Sequence, residues 1–103
     1  MKKYKVVSSP DTSSDFRKYM DYIIYTCHSP QTALKHTKIF LNTLKVLEKC
    51  AEAFPIKPDT HSLMQYGSFV RTISFKKMTI IYTVHDDVVY IHRIVASSLV
   101  ANL

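Results

Sequence analysis

After Gly67, the only glycine in 103 residues, the chain runs through three short apolar stretches with almost nothing between them. They are Phe69 to Phe75, Met78 to Val84 and Val88 to Val95, separated by Lys76-Lys77 and by His85-Asp86-Asp87. Each is rich in β-branched and aromatic residues and has ordinary strand length. Gaps this short allow hairpin turns and nothing longer, so the three strands must pair antiparallel. In the middle one Met78, Ile80, Tyr82 and Val84 share a face, with Thr79, Ile81 and Thr83 on the other. That alternation predicts a sheet covered on one side, its other face open and somewhat concave from twist.

The upstream half supplies the cover. Tyr4 to Ser8 reads as a short first strand. Ser9-Pro10-Asp11 then starts a helix, with a hydroxyl to cap free N–H groups, a proline suited to the first turn and an acid matched to the positive dipole end. Phe16, Tyr19, Met20, Ile23 and Cys27 fall on one helical face, which reads as core. Ser29-Pro30 repeats the start signal, and Phe54-Pro55 stops the second helix. Between them Ala33, Thr37, Phe40, Leu44, Leu47, Ala51 and Phe54 form a continuous seam. Lys35, Lys38, Asn42, Lys45 and Lys49 lie nearly opposite, as the solvated side of an amphipathic helix does. Ile39, Thr43, Val46 and Cys50 flank the seam, and Ile39 and Val46 are candidate partner-binding positions there. Ile56 to Tyr66 reads as an irregular connector. In the tail from Ala96 to Leu103, the residues Leu99, Val100 and Leu103 are expected to dock on a sheet edge.

The expected architecture is one α+β domain spanning residues 1–103, in the order β-α-α-β-β-β. A two-helix hairpin packs on one face of a mainly antiparallel sheet of about four strands. A hydrophobic share of 47% fits a folded soluble chain, and no apolar run reaches membrane-spanning length. The charged N-terminus is followed by no signal-peptide core, so a cytoplasmic protein is expected. Cys27 sits beside the helix–helix loop and Cys50 lies roughly 30 Å along the second helix, so the two are read as free thiols.

The formal charge of +6 favours an acidic partner, nucleic acid or protein. With one glycine there is no phosphate-cradling loop. His28, His36, His61, His85 and His92 show no metal-site spacing, so no metal and no cofactor are expected. What remains is a set suited to a polyanion: Arg71, Lys76, Lys77, His92 and Arg93, with Tyr66, Tyr82 and Tyr90 nearby. Metal-free RNA cleavage needs a base, an acid and cations for the phosphate, and His92, Tyr82, Arg71 and Arg93 are the candidates for those roles. Strand parity sends His92 and Arg93 to opposite faces unless a bulge intervenes. Ordinary rim charges and a strand histidine remain an equal reading of the same residues.

Five runs follow one another along the chain: Ser9-Pro10-x-x-x-x-Asp15-Phe16-x-x-Tyr19-x-x-Tyr22-Ile23, Ser29-Pro30-x-x-Ala33, Gly67-x-x-x-Arg71, Ile80-Ile81-Tyr82-x-Val84 and Val89-Tyr90-Ile91-x-Arg93-Ile94. In that order and spacing the whole chain resembles the RelE/ParE superfamily of bacterial toxins, whose SPxAxxDLxxIxxYI opening is similar to the first run. It implies a toxin of a type II toxin–antitoxin pair, linked to plasmid stabilisation and growth inhibition, with a cognate antitoxin as partner. ParE-like members act on DNA gyrase; RelE-like members cut mRNA in the ribosome. Where many members carry a His-Gly-Arg-like run, this chain has Ala96-Ser97-Ser98, which removes an acid/base candidate and a cation. The ParE-like reading is therefore expected, with Lys76, Lys77, Ile39, Val46 and Leu99 as binding positions. The alternatives are an mRNA endonuclease using Arg71, His92, Arg93 and Tyr82, and a non-toxic member acting as a binding or regulatory subunit.

Overall fold

The computed structural model describes residues 3–57, 63 and 65–101. Its sheet has the order β1-β4-β3-β2, from strands Lys5–Ser8 (β1), Arg71–Phe75 (β2), Met78–His85 (β3) and Val88–Ala96 (β4). β1 pairs parallel to β4, and the other two pairings are antiparallel. The α+β class and the helix hairpin on one sheet face are as the sequence implies. Helix α1 spans Pro10–Asp21 and continues as a π-helical turn, Tyr22–Thr26. Helix α2 spans Pro30–Cys50 and tightens into a 3-10 turn, Ala51–Ala53, before Phe54 turns extended ahead of Pro55. Ser97–Ala101 forms a last short helix, α3.

Both start signals work as read. Ser9 Oγ accepts from the Thr12 N–H at 3.1 Å, and Ser29 Oγ from the Thr32 N–H at 3.3 Å. The predicted seam of α2 faces the sheet, with Ala33, Phe40, Leu47 and Ala51 buried. Phe40 stacks on Phe16 at 4.6 Å between ring centres and meets Phe75 at 5.3 Å. Leu47, Ile80, Tyr82, Val89 and Ile91, all fully buried, continue this core. Lys35, Lys38, Asn42, Lys45 and Lys49 are all exposed.

Three local expectations need correction. The first strand of the meander starts at Arg71, not Phe69; Phe69 adopts φ 59° and is 69% exposed, a conformation no strand accommodates. The face away from the helices is not open throughout. Ile81 is buried there in a second cluster with Leu63 and Val70, flanked by Tyr66 and Val95, and Thr79 and Thr83 are buried too. Part of the connector thus folds back over the sheet. In the tail, Leu99 is 61% exposed and does not dock; Leu103 and the Val100 side chain lie outside the described residues.

Strand β4 is the mechanical centre of the sheet. β1 accompanies it only as far as Ser8 opposite Ile91. Beyond that point, three polar residues at helical spacing on the start of α1 take the place of a neighbouring strand. The Ser9 N–H and the Thr12 hydroxyl donate to the Ile91 carbonyl, and the Ser9 hydroxyl donates to the His92 carbonyl. Asp15 accepts from the Ile94 N–H at 3.0 Å and from Arg93 at 2.7 and 2.8 Å. Orphaned strand-edge groups are costly when buried, and here each of these is met. Removing the carboxylate in Asp15→Ala leaves the Ile94 N–H and a guanidinium unpaired. It is expected to cost about 2 kcal/mol in urea unfolding, with Asp15→Asn, which keeps one acceptor, clearly milder.

Candidate functional site

The pairing of β3 with β4 slips once. Ile81 faces Arg93 and Tyr82 faces Ile91, so His92 is an extra residue with no partner of its own. Such a bulge re-aims side chains. Without it, hairpin pairing would set Arg93 beside Ile80 in the helix-side core. With it, Ile94 faces Ile80 in that core, while Arg93 lies opposite Ile81 on the other face. The His92 ring lies on that same face, where its Nε2 meets Thr83 Oγ1 at 2.8 Å. The condition that parity imposed on His92 and Arg93 is thus met.

Thr83 has a second imidazole partner. His85 Nε2 lies 2.9 Å from the same hydroxyl oxygen. One threonine hydroxyl thereby links two histidines, and it can donate to one ring nitrogen while accepting from the other, as the ring tautomers decide. Tyr90 meets the His92 ring edge-on at 4.8 Å, and Tyr66 covers it at 5.3 Å. Burial first, and the nearby His85 second, hold the His92 imidazole below its ordinary value of 6.5. A neutral imidazole at neutral pH is a competent proton acceptor. Arg93 pairs with Asp15 through its Nε and one terminal nitrogen, and that hydrogen bonding is the main cause raising its guanidinium above its ordinary value.

Arg71 and Tyr82 do something else. They face each other across β2 and β3 on the helix side of the sheet. The Arg71 guanidinium donates to the Glu52 and Phe54 carbonyls, and the Tyr82 hydroxyl donates to the Ala51 carbonyl at 2.7 Å. Together they satisfy carbonyls of the 3-10 turn that follows α2 and of Phe54 just beyond it, where a cation also suits the negative dipole end. Tyr82 is fully buried, and desolvation pushes its phenol up to about 12 despite the Arg71 charge. The four candidate catalytic residues therefore split into two pairs on opposite faces.

The candidate binding residues are dispersed as well. Ile39 is half-buried against the core, whereas Val46 remains exposed on α2. Lys76 and Lys77 form the exposed β2–β3 turn, and they border a cavity that includes Met78 and Ala96; Leu99 lies across a shallower cleft lined by the same two residues. Among the described residues no three His, Cys, Asp or Glu side chains converge for a metal ion. None of their helices is long and apolar enough to cross a membrane.

Two members of the histidine cluster, Thr83 and His85, escaped the sequence reading. The β4 bulge beside them did leave a signal: Ile91 and Ile94 are three residues apart, which breaks the strand period of two.

No family model matches this sequence, and no curated protein matches it. Among solved structures, a chain of the chromosomal ParDE TA system from P. aeruginosa has the same fold. Its TM-score is 0.68 at 19% identity, and the likeness covers 90% of this chain and 95% of that one.

The lowered His92 value fixes a pH dependence. Because the folded state disfavours the imidazolium, this contribution to stability is complete above about pH 6.5 and is lost as pH falls below it. Urea midpoints measured from pH 7.5 to 5 are expected to fall more steeply for the wild type than for His92→Gln.

Proposed function

We propose that this chain is the toxin of a type II toxin–antitoxin pair, a ParE-like protein that inhibits growth by binding DNA gyrase in the cytoplasm. A cognate antitoxin neutralises it. The observation that carries this reading is the fold shared with a chain of the ParDE system over nearly the full length of both. The split of the candidate catalytic residues favours the non-nuclease form. Arg71 and Tyr82 are spent on the end of α2, and Ala96-Ser97-Ser98 runs into a short helix without a further cation. The net charge of +6 and the exposed lysines of α2 suit an acidic antitoxin.

One observation favours a second reading. The His85–Thr83–His92 chain, with Tyr66, Tyr90 and Arg93 around it, is an acid–base arrangement beside aromatic rings, as a ribosome-dependent mRNA endonuclease would need. His92 would then be the base and Arg93 a phosphate-side cation.

Inducible expression in bacteria separates the two. The expected result is growth arrest with altered plasmid supercoiling and gyrase-linked DNA breaks, relieved by co-expressing the antitoxin. His92→Gln should keep its toxicity within about twofold. Rapid cleavage of translated mRNA with normal supercoiling, lost by about 100-fold or more in His92→Gln, would establish the nuclease instead. Soluble protein without any growth effect would sink both and leave a non-toxic binding or regulatory subunit.

A further inference from the structure

The π-helical turn after α1, the start of α2, the β2–β3 turn and the end of β4 line a half-open cavity of about 930 Å³. That is the size of a site for a small organic ligand. Ile23, Met78 and Ala96, with the rings of Tyr19 and Tyr22, give it a largely apolar wall. A π-helical turn often marks a functional site, and this one carries Tyr22 and Ile23 of that wall.

The charge around the cavity has one sign. Lys76 and Lys77 line it, and among the described residues no acidic side chain does. The first turn of α2, through Ser29 and Thr32, brings the positive end of a 21-residue helix to the same space. The one internal titratable pair is already satisfied, since the Tyr19 hydroxyl and His36 Nδ1 are hydrogen-bonded to each other. Burial, and after it the Lys76 charge, hold His36 below its ordinary value, so a cation is disfavoured inside. An apolar body therefore has a wall to fill, and a single negative charge has two ammonium groups at the edge.

From this juxtaposition we infer that the cavity binds an amphipathic monoanion. An aromatic or branched apolar body lies against Ile23, Tyr22 and Met78, and one carboxylate pairs with Lys76 and Lys77. The inference does not depend on the toxin reading. Apolar burial supplies most of the affinity and the exposed lysines supply selectivity, because ion pairs in contact with water are weak individually.

Three naphthalene probes of nearly equal shape test it: 2-naphthylacetate, its neutral amide, and 2-naphthylethylammonium. Each is titrated into the full chain, with methyl NMR signals of Ile23, Met78 and Ala96 as the readout. Saturable shifts at these three residues are expected, with affinity falling from carboxylate to amide to ammonium. The double variant Lys76→Gln/Lys77→Gln should weaken the carboxylate about fivefold and leave the amide unchanged. Both lysines are exposed turn residues, so the variant retains the core, which its unchanged distant methyl signals would verify. As a second readout in a Cys50→Ser background, bound carboxylate should slow iodoacetamide labelling of Cys27, which is exposed at the cavity wall. Three results would overturn the proposal: no saturable shifts at millimolar probe, shifts centred on other residues, or an ammonium probe that binds as well as the carboxylate.

Discussion

Much of this structure depends on how β4 is held once β1 ends. A strand edge buried beside a helix needs partners for its N–H and C=O groups, and helices rarely offer them, since their own backbone groups are used internally. Here the N-terminal turns of α1 do so with side chains. Ser9, Thr12 and Asp15 line one helical edge and bond successively to Ile91, His92, Ile94 and Arg93. Ser9 and Thr12 are buried polar residues whose hydroxyls both find carbonyls, and Asp15 accepts three N–H groups. This stitching fixes the angle of α1 on the sheet. It also holds the irregular part of β4 in a single geometry, since the bulge carbonyl is one of the groups it satisfies.

The two faces of the sheet have consequently divided their duties. The helix side uses its charged and phenolic groups for structure: Arg71 and Tyr82 close the end of α2 against β2 and β3. The opposite side carries His85, His92 and two of the tyrosines around a central hydroxyl, partly roofed by Leu63, Tyr66 and Val70. The arginine singled out by sequence donates to the carbonyls that follow α2, and a threonine counted as a face marker becomes the hub of a hydrogen-bonded cluster.

How much of this was legible depends on the range of the signal. Helix starts at Ser9 and Ser29, the seam from Ala33 to Phe54 and the meander are local or periodic patterns, and they read directly from the chain. The parallel pairing of β1 with β4 joins segments some 80 residues apart, and no local pattern encodes it. The roof over Ile81 comes from the irregular connector, whose lack of periodicity concealed that Leu63 is buried. The candidate site was half legible. Residue types drew attention to His92 and Arg93, yet their common face depends on one extra residue in β4. That residue shows in the sequence only as the three-residue step from Ile91 to Ile94. The partners of Arg71 are backbone carbonyls, which leave no trace in composition.

The bulge also means that β4 is one residue longer than its pairing requires, and the surplus residue is His92. Deleting it would join Ile91 directly to Arg93 opposite Tyr82 and Ile81, and every remaining side chain of the strand would keep the face it now occupies. The deletion would forfeit the bond from Ser9 to the His92 carbonyl along with the imidazole, and it would draw Ile94 one residue closer to Ile91, against the spacing at which Thr12 and Asp15 hold the two. The facing pattern of the strand is thus independent of the histidine, whereas its attachment to α1 is cut to the length that includes it.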